Sequence, residues 1–417
     1  MNTPDKQAVV VGAGIVGLCC AFHLKARGFD VTVVDRDPDG DRTSFGNAGA
    51  IAQPEIMPLA EPGIAWKVPG YLLDPLGPLS MRFGHLPKLI PYLMRFLKAA
   101  NPAQFEAGAR AMAALLAPAF DDHGTILQAS GLGSLLDKAG HLWVFTSEAG
   151  RAAAAHEWKI RNDLGLDSVF LDRAELAERE PALGPRAACA VHTEDWGHYT
   201  DPKALVLGLM DHLRDRGVRF ERGNVFDIEI KDERPTAVYT EAEFRHPFDH
   251  LVVAAGAWSH HLSNRLGDYC PLETERGYNT TLPNPGLSLN TMVTFAEDHF
   301  VATPMSMGLR IGGAVEFAGL DAPPNYERAK ALLRLGEKYL PGLNTEGGTE
   351  WMGHRPSTPD SLPVIDCSGR FPNVLYAFGH GHLGLTGSAT TGRLIAGMAC
   401  GETPDIDLAP FRIARFE

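Results

Sequence analysis

The stretch Ala8-Val-Val-Val-Gly-Ala-Gly-Ile-Val-Gly-Leu18 decides the fold, because a β-branched run leads directly into three spaced glycines. Gly12 permits a tight turn from strand to helix, and Gly14 lets the backbone approach a pyrophosphate. Gly17 lets the helix pack closely on the sheet, with its N-terminus towards the phosphates. The spacing predicts a dinucleotide-binding unit; a glycine-rich buried turn without a ligand is the alternative.

The chain beyond this turn continues the same pattern. Residues 15–27 are predicted to form a helix that closes at Gly28, and residues 31–34 a second strand. Asp35 follows that strand, where a carboxylate can accept hydrogen bonds from ribose hydroxyls and disfavours a 2′-phosphate. The motif alone does not distinguish FAD from NAD.

Length and composition narrow the class of protein. A chain of 417 residues can bury two cores, so we expect two closely joined domains. The formal net charge of −13 argues against nucleic acid, and against anionic membrane surfaces in general, as partners. Six cysteines without C-x-x-C spacing favour reduced structural thiols in a cytoplasmic protein.

The middle of the chain changes character twice. Residues 54–91 are dense in proline, which predicts an ordered loop segment without long regular elements. Residues 86–97 carry leucines and isoleucine at helical spacing, with Lys88, Arg95 and Lys98 nearby. This stripe predicts a helix that faces the core; a helix lying on a bilayer is the alternative.

Alternating elements follow from Asp201, the predicted N-cap of a helix over residues 202–216. Strands are predicted over residues 218–221, 225–230 and 250–255. The last of these ends near Gly256, where backbone can lie close to a bound nucleotide.

The C-terminal part holds two polar blocks, Gly353-His-Arg-Pro-Ser-Thr-Pro-Asp360 and Asn373-Val-Leu-Tyr-Ala-Phe-Gly-His-Gly-His-Leu-Gly384. The glycines of the second block offer backbone N–H groups to the electron-rich edge of a flavin ring. A glycine-rich loop between strand and helix is the alternative. His354, His380 and His382 lack a cysteine or acid to complete a ligand set, so we expect no metal site.

These blocks together resemble the D-amino-acid oxidase and glycine oxidase superfamily of FAD enzymes, and within it the D-amino-acid dehydrogenases. Further blocks that carry the resemblance are Thr43-Ser-Phe-Gly-Asn-Ala-Gly49, Tyr71-Leu-Leu-Asp-Pro-Leu-Gly-Pro78, Glu180-Pro-Ala-Leu183, Glu275-Arg-Gly-Tyr278 and Arg310-Ile-Gly-Gly313. The resemblance implies an α/β, Rossmann-like FAD-binding domain from residues 1–53, 186–265 and 349–417. It also implies an α+β substrate domain, with a mixed sheet and a helical insertion, from residues 54–185 and 266–348.

The resemblance further implies non-covalent FAD. The implied cofactor contacts are Gly12, Gly14, Ile15, Val16, Gly17, Asp35, Arg36, Ser44, Asn47, Ala48, Gly49, Val225, Ala255, Gly256, Trp258, Gly379, Gly381, His382, Leu383 and Gly384. Ser44 is expected near the pyrophosphate, and Asn47 and Gly49 towards the flavin. Gly353 stands where sarcosine oxidases carry a flavin-linking cysteine; a histidyl link at His354 is the less favoured alternative.

By the same resemblance, Arg355 in the G-x-R-P block binds the substrate carboxylate. A guanidinium makes two parallel hydrogen bonds to a carboxylate, which would fix the substrate Cα. The alternative is a structural arginine paired with Asp360. Tyr278 and His382 are expected as further polar contacts, with Arg276 a weaker candidate that could equally lie on the surface. Phe300 and Val301, where related enzymes offer a tyrosine, are expected to receive the substrate side chain.

The implied reaction is oxidative deamination of a D-amino acid by hydride transfer from Cα to flavin N5, without a side-chain base at Cα. A neutral or cyclic substrate is expected, with D-proline and 4-hydroxy-D-proline among the candidates. Electrons would pass to a quinone or an electron-transfer protein, with peripheral contact at the inner face of a membrane as an option. The alternatives are an oxidase that uses O₂, an NAD-dependent dehydrogenase and a flavin-binding scaffold without activity.

Overall fold

The chain folds around two large β-sheets. The computed structural model describes residues 6–73, 77, 79–241 and 244–417. Within these residues the strands are β1 (Gln7–Val11), β2 (Asp30–Asp35), β3 (Ala50–Ala52), β4 (Leu79–Met81), β5 (Leu136–Asp137), β6 (His141–Phe145), β7 (Val169–Leu171), β8 (Cys189–Thr193), β9 (Trp196–Tyr199), β10 (Arg219–Arg222), β11 (Val225–Lys231), β12 (Arg234–Thr240), β13 (Arg245–Pro247), β14 (His250–Val253), β15 (Glu273–Leu282), β16 (Met292–Phe295), β17 (Phe300–Met305), β18 (Gly308–Phe317), β19 (Thr349–Ser357), β20 (Val364–Cys367) and β21 (Val374–Phe378).

Helices cover the sheets and form most of the segment between β4 and β8. In the described residues they are α1 (Ile15–Ala26), α2 (Ile64–Leu73), α3 (Leu86–Ala99), α4 (Pro102–Leu116), α5 (Ala119–Ser130), α6 (Glu148–Ala153), α7 (Ala155–Asp163), α8 (Arg173–Arg179), α9 (Pro202–Asp215), α10 (Ser259–Arg265), α11 (Glu327–Tyr339) and α12 (Ser388–Ala399). None of the helices in these ranges is long and apolar enough to cross a bilayer.

The first sheet has the order β10-β2-β1-β14-β21-β20. Its first five strands pair in parallel, and β20 adds an antiparallel edge to β21. Parallel strands are usually covered on both faces, which explains the continuous apolar runs of β1, β2 and β14. The predicted α/β Rossmann-like unit is confirmed, including the helix α1 directly after the glycine turn.

The second sheet is mixed and larger, with the order β19-β15-β18-β17-β16-β6-β8-β7 and β4 paired to β18. The pairs β6–β16 and β4–β18 are parallel and the other neighbours antiparallel. This mixed sheet with a helical segment confirms the predicted fold class. The strands β8 and β19 belong to this mixed sheet, although they lie after residue 186 and from residue 349 onwards, where segments of the FAD-binding domain are predicted to begin. The division between the two large sheets therefore differs from these two positions, and the domain limits stay a prediction.

The proline-dense segment is more regular than the sequence predicts. Helix α2 forms although Pro69 lies inside it, and α3 begins within the same stretch, with Pro91 in its interior. Residues 74–76 and 78, part of the block from Tyr71 that supports the family resemblance, lie outside the described residues. The expectation of a loop segment without long elements is therefore wrong for α2, whereas α3 confirms the helix predicted over residues 86–97.

The predicted core-facing stripe of α3 is only half buried. Leu89 and Tyr92 are buried, whereas Ile90, Met94 and Leu97 are exposed. A helix that buries one narrow side and exposes apolar side chains on another differs from the single core-facing stripe that the spacing indicates. The N-cap prediction holds elsewhere, since Asp201 Oδ1 accepts the N–H of Ala204 at 2.9 Å.

Candidate functional site

A cavity of about 1950 Å³ is lined by residues from both large sheets. Small-molecule sites usually measure roughly 300–1,000 Å³. The cavity therefore has room for a dinucleotide and a second ligand. Its lining includes the glycine turn after β1 and the loop after β21.

Two glycines of the first turn are required by close packing. Gly12 has φ of 111°, and a Cβ there would overlap the carbonyl oxygen of Ala254 at the end of β14. A Cβ on Gly17 would overlap the carbonyl oxygen of Gly12, so the first turn of α1 can lie directly on the strand–helix turn. Both positions need glycine for backbone packing, as the motif predicts.

The N-terminus of α1 is open towards the cavity. Gly14 is the N-cap residue in extended conformation, and the first turn of α1 has no acidic side chain. The hydroxyl of Ser44 accepts the N–H of Ile15 at 3.0 Å and is the nearest atom to a Cβ built on Gly14, at 3.5 Å. A helix N-terminus with a glycine N-cap, a neighbouring hydroxyl and this clearance suits a phosphate group.

Asp35 is held in place at the end of β2. Its Oδ2 accepts the N–H of Ala13 at 2.7 Å, and its Oδ1 accepts the N–H of Asp37 at 2.9 Å. The residue lines the cavity beside the glycine turn. A carboxylate fixed by two backbone donors is positioned to accept further hydrogen bonds from a ribose.

Arg36 and Trp258 form a stacked pair at the same end. The Arg36 guanidinium carbon lies 3.6 Å from the centroid of the Trp258 ring, and His354 meets that ring edge-on at 5.3 Å. The pKa of His354 is lowered to about 4, by burial and then by Arg276 and Arg36. The sequence analysis predicts Arg36 and Trp258 as cofactor contacts and finds His354 next to Arg355. The contacts of Trp258 with Arg36 and His354 are seen only in the structure.

The loop after β2 is shaped by its own side chains. Asn47 Oδ1 accepts the N–H of Gly49 at 2.8 Å, and Asn47 Nδ2 donates to the carbonyl oxygen of Ser44 at 3.0 Å. A Cβ on Gly49, with φ of 75°, would overlap the carbonyl oxygen of Tyr199. The Asn47 amide thus closes the loop while the residue lines the cavity, so its predicted contact with the flavin stays a prediction. Gly49 packs on β9 and lies outside the lining.

The second sheet anchors this loop through residues that the sequence reasoning did not single out as site residues. Thr43 exchanges two hydrogen bonds of 3.1 Å with the backbone of His354. Asn279 Nδ2 donates to Gly46 at 2.6 Å, and Arg310 Nη1 donates to Asn47 at 2.7 Å. Thr43 and Arg310 lie in sequence motifs that support the family resemblance, and Asn279 directly follows one of these motifs. The motifs therefore mark the three residues, but they do not show which atoms of the loop these residues bind.

Most of the predicted cofactor contacts do line the cavity. These are Gly12, Gly14, Ile15, Val16, Asp35, Arg36, Ser44, Asn47, Ala48, Val225, Ala255, Gly256, Trp258, Gly381, His382, Leu383 and Gly384. Gly17, Gly49 and Gly379 are outside this lining. Gly17 and Gly49 pack against backbone, and a Cβ on Gly379 would press on Thr358.

Arg355 is a deeply placed cation of the cavity that has no ion pair among the described residues. It lies on β19 in register with Glu275, and its guanidinium lies over Gly277, where a Cβ would come within 2.5 Å of the guanidinium carbon. Among the described residues no acceptor lies within hydrogen-bonding distance of the guanidinium, and Asp360 pairs with Arg415 instead. Burial lowers the pKa of Arg355 from its usual value while Glu275 opposes the shift. The guanidinium is free to bind an anionic ligand.

The loop after β21 places His382 beside this cation. His382 lines the cavity with its side chain open to the cavity space, and its depth within the protein together with Arg355 lowers its pKa to about 4. Its ring has no hydrogen-bond partner among the described residues, whereas His380 bonds to Thr391 Oγ1 at 2.9 Å. In the described part of the chain no three His, Cys, Asp or Glu side chains are grouped as a metal site.

Two of the predicted polar contacts have other partners. The Tyr278 hydroxyl donates to Glu316 Oε2 at 2.5 Å and accepts the N–H of Asn325 at 3.0 Å, so it is not available to a substrate carboxylate. Arg276 is fully buried and donates to three backbone carbonyls, those of Gly319, Ala322 and Pro323. Both expectations are corrected: Tyr278 and Arg276 belong to a buried polar network, and Arg276 is not on the surface.

Of the two residues expected to contact the substrate side chain, one lies in the core and the other lines the cavity. Phe300 is fully buried and stacks on Phe295 at 4.3 Å, on the opposite face of the sheet from the cavity, so its predicted role is wrong. Val301 lines the cavity as expected. It belongs to a row of register neighbours that crosses the sheet and lines the cavity: Trp143, Thr294, Val301, Gly312, Asn279 and Trp351.

Comparison with known proteins identifies the dinucleotide. The family described as DAO, FAD dependent oxidoreductase, matches residues 7–398. The chain belongs to this family. A curated relative, the D-amino-acid oxidase of Bradyrhizobium diazoefficiens, is 38% identical over 418 residues, covering 99% of each chain.

Solved structures of other proteins share the DAO-family fold. L-proline dehydrogenase from P. horikoshii has a TM-score of 0.75 at 19% identity, covering 99% of this chain and 98% of its own. Glycine oxidase from Geobacillus kaustophilus has a TM-score of 0.72 at 21% identity, covering 98% of this chain and 99% of its own. At these identities the likeness establishes the fold.

FAD is thus the cofactor of this DAO-family protein, and the residues present fit it. The open N-terminus of α1 with Ser44 would hold the pyrophosphate, and Asp35 the adenosine ribose. The loop after β21 offers backbone N–H groups and lines the same cavity as Arg355. The cavity volume accommodates the cofactor and leaves space for a substrate.

Proposed function

We propose that this protein catalyses the oxidative deamination of a D-amino acid. The observation that carries the proposal is the unpaired guanidinium of Arg355 in a cavity suited to FAD. Two parallel hydrogen bonds from Arg355 to the substrate carboxylate would orient the Cα–H bond. The curated relative named D-amino-acid oxidase supports the amino-acid substrate and the D-configuration.

The protein's part in the reaction is positioning rather than base catalysis at Cα. Bound FAD supplies the acceptor for the two electrons. The substrate loses a hydride from Cα and a proton from its amine, and water then hydrolyses the imino acid to a keto acid and ammonia. His382 is neutral at physiological pH because of its lowered pKa, so its ring can accept a hydrogen bond from the substrate amine.

Neutral and cyclic substrates, including D-proline and 4-hydroxy-D-proline, fit the apolar part of the wall. Val301 and Met292 line it on neighbouring strands, and Ala296 lies in the turn that joins them. A cyclic imino acid would leave without hydrolysis.

For the electron acceptor we propose a quinone or an electron-transfer protein, reached at a membrane surface. Trp66 on α2 is 90% exposed, and Phe83 just before α3 is 91% exposed. The cavity lining includes Val68 of α2 and Leu97 of α3, so this apolar surface borders the route into the cavity. Exposed aromatic side chains of this kind are typical of interfacial contact with lipid. An oxidase that passes electrons to O₂ is the second candidate, and it is favoured by the curated relative's name.

Anaerobic bleaching of the flavin tests the substrate proposal. Paired D- and L-amino acids, with both proline and 4-hydroxyproline series, are mixed with the purified protein under argon. We expect the D-series to bleach the flavin. Bleaching by L-amino acids, or by sarcosine alone, would overturn the substrate assignment and leave the fold and cofactor intact.

The reduced protein then tests the acceptor. We expect a soluble quinone analogue to reoxidise the flavin faster than air-saturated buffer does. Faster reoxidation by air, with one peroxide formed per turnover, would establish the oxidase instead.

A further inference from the structure

Glu55 presents a second unpaired charge to the same cavity. It follows β3 closely and lines the cavity. Among the described residues no donor lies within hydrogen-bonding distance of its carboxylate, and no cation lies within ion-pair distance. Arg355 and Glu55 are therefore an unpaired guanidinium and an unpaired carboxyl group that line the same cavity.

The charged groups around Glu55 are already engaged with each other. Arg161 is buried, donates from Nε to the carbonyl oxygen of Pro54 at 2.9 Å, and lies 3.6 Å from Glu157. On the neighbouring segment, Lys67 pairs with Glu61 at 2.7 Å. With these pairs balanced, Glu55 is, among the acidic and basic residues named here, the one without a partner in the described part of the chain.

Aromatic rings complete the wall. Trp143, Trp158 and Trp196 line the cavity, with Trp143 edge-on to each of the other two at 5.8 and 6.4 Å. Arg161 already lies 4.7 Å from the Trp158 ring, so this cluster holds one cation over an aromatic face. A carboxylate beside indole rings is the chemistry that recognises ammonium and guanidinium groups.

The environment of Glu55 favours a ligand that brings a positive charge. Burial raises the pKa of Glu55 to about 7, while Arg161 opposes the shift. A desolvated carboxylate without donors is unfavourable, and a hydrogen-bonding cation relieves this. A neutral aliphatic side chain in the same place would leave the carboxylate unpaired.

We propose that Glu55 binds the cationic group at the end of a substrate side chain. The favoured substrates are then D-amino acids with an ammonium or guanidinium group, held by Arg355 at the carboxylate and by Glu55 at the other end. This inference rests on the proposed function, because it uses Arg355 as the carboxylate site. It differs from the proposal of a neutral side chain, which rests on the apolar wall at Val301 and takes no account of the carboxyl group of Glu55.

A matched series of substrates tests the inference. Anaerobic flavin reduction is measured with D-norvaline, D-norleucine, D-ornithine, D-lysine and D-arginine, for the natural protein and for Glu55→Gln. We expect the natural protein to favour the cationic members over the neutral ones. Glu55→Gln should lower kcat/KM for the best cationic substrate by about 10- to 100-fold, since a hydrogen bond to a charged group contributes roughly 1.5–3 kcal/mol. The loss should come mainly from KM, and D-norleucine should change less than about threefold.

Two further variants complete the test. Glu106→Gln, an exposed pair partner of Arg110 on α4, is the control and should leave the ratio of cationic to neutral substrates unchanged. Glu55→Asp keeps the charge on a shorter side chain and should move the preference towards longer cationic substrates. If neutral D-amino acids reduce the flavin and Glu55→Gln leaves the ratio unchanged, the inference is overturned and the proposed function stands. If no D-amino acid reduces the flavin, the proposed function fails.

Discussion

At the scale of single residues, the proposed chemistry depends on a guanidinium that the fold leaves without partners. Arg355→Lys keeps the charge but removes the two-point contact, so the substrate Cα is held less firmly. We expect kcat/KM to fall by roughly 100-fold or more, with flavin content unchanged, because misorientation affects turnover more than cofactor binding. Steady-state kinetics and the flavin absorbance of the purified variant measure both quantities.

Arg110→Lys is the control for that substitution, since Arg110 is exposed on α4 and pairs with Glu106. Unchanged kinetics in Arg355→Lys would place the carboxylate site elsewhere. Arg276 could not replace it, because its guanidinium donates to three backbone carbonyls.

Asp35 provides a test of the cofactor end of the cavity. Asp35→Ala removes the carboxylate proposed to bind the adenosine ribose, and a lost hydrogen bond to a charged group costs about 1.5–3 kcal/mol. We expect FAD to bind about 10- to 100-fold more weakly, as measured by titration of the apoprotein. Asp30→Ala, at the other end of β2 and paired with Arg219, should bind FAD normally. Equal affinities in the two variants would remove Asp35 from the site.

The same samples show how the flavin is attached. Flavin released into the supernatant on denaturation supports non-covalent binding. Flavin that stays with the precipitated polypeptide would contradict it.

At the scale of elements, the sequence predicts most where local sterics decide the structure. The turn from β1 into α1 was predictable because only glycine fits at Gly12 and Gly17, whatever the rest of the chain does. The N-cap at Asp201 was predictable because its hydrogen bond spans three residues. Such contacts depend on neighbours in the chain, which the sequence displays.

Contacts between distant elements were not predictable in the same way. Tyr278 and Phe300 have residue types that suit a substrate pocket, yet the pleat of β15 and β17 and their partners turn Tyr278 to Glu316 and Phe300 to the core. Glu55 was missed because its significance depends on Arg161 and Glu157, about a hundred positions away in the chain, being engaged with each other. The sequence supplies residue types and spacing, whereas these roles depend on which partners a side chain finds.

At the scale of the whole molecule, the two large sheets contribute different kinds of binding residue to one cavity. The parallel sheet contributes the helix N-terminus and Asp35, which suit the cofactor, and the mixed sheet contributes Arg355 and the wall at Val301. Thr43 and Asn279 tie the loop after β2 to the mixed sheet. The relative position of cofactor and substrate is therefore fixed by hydrogen bonds between units far apart in the sequence.

The apolar surface beside the cavity is the place where we propose that the electron acceptor is reached. Trp66, Phe83 and the 68% exposed Met94 carry apolar surface on α2, before α3 and on α3, and Lys88 and Lys98 lie on α3 without an ion pair among the described residues. Apolar side chains flanked by lysines bind lipid surfaces through both burial and charge. Because the chain carries a net charge of −13, any binding to anionic vesicles must come from a local surface such as this one.

We therefore expect the protein to sediment with vesicles of phosphatidylcholine and phosphatidylglycerol. Replacing Trp66, Phe83 and Met94 together by serine should weaken binding by about tenfold or more, because each buried CH₂ contributes roughly 0.8 kcal/mol. Phe244→Ser, at a side chain 65% exposed next to β13, is the control and should bind like the natural protein. Equal binding of the triple variant, or a dimer in solution that the triple variant breaks, would show that this surface does not serve a membrane. Loss of binding together with slower reoxidation by a vesicle-borne quinone, at unchanged flavin bleaching by D-amino acids, would link the apolar surface to electron transfer rather than to substrate oxidation.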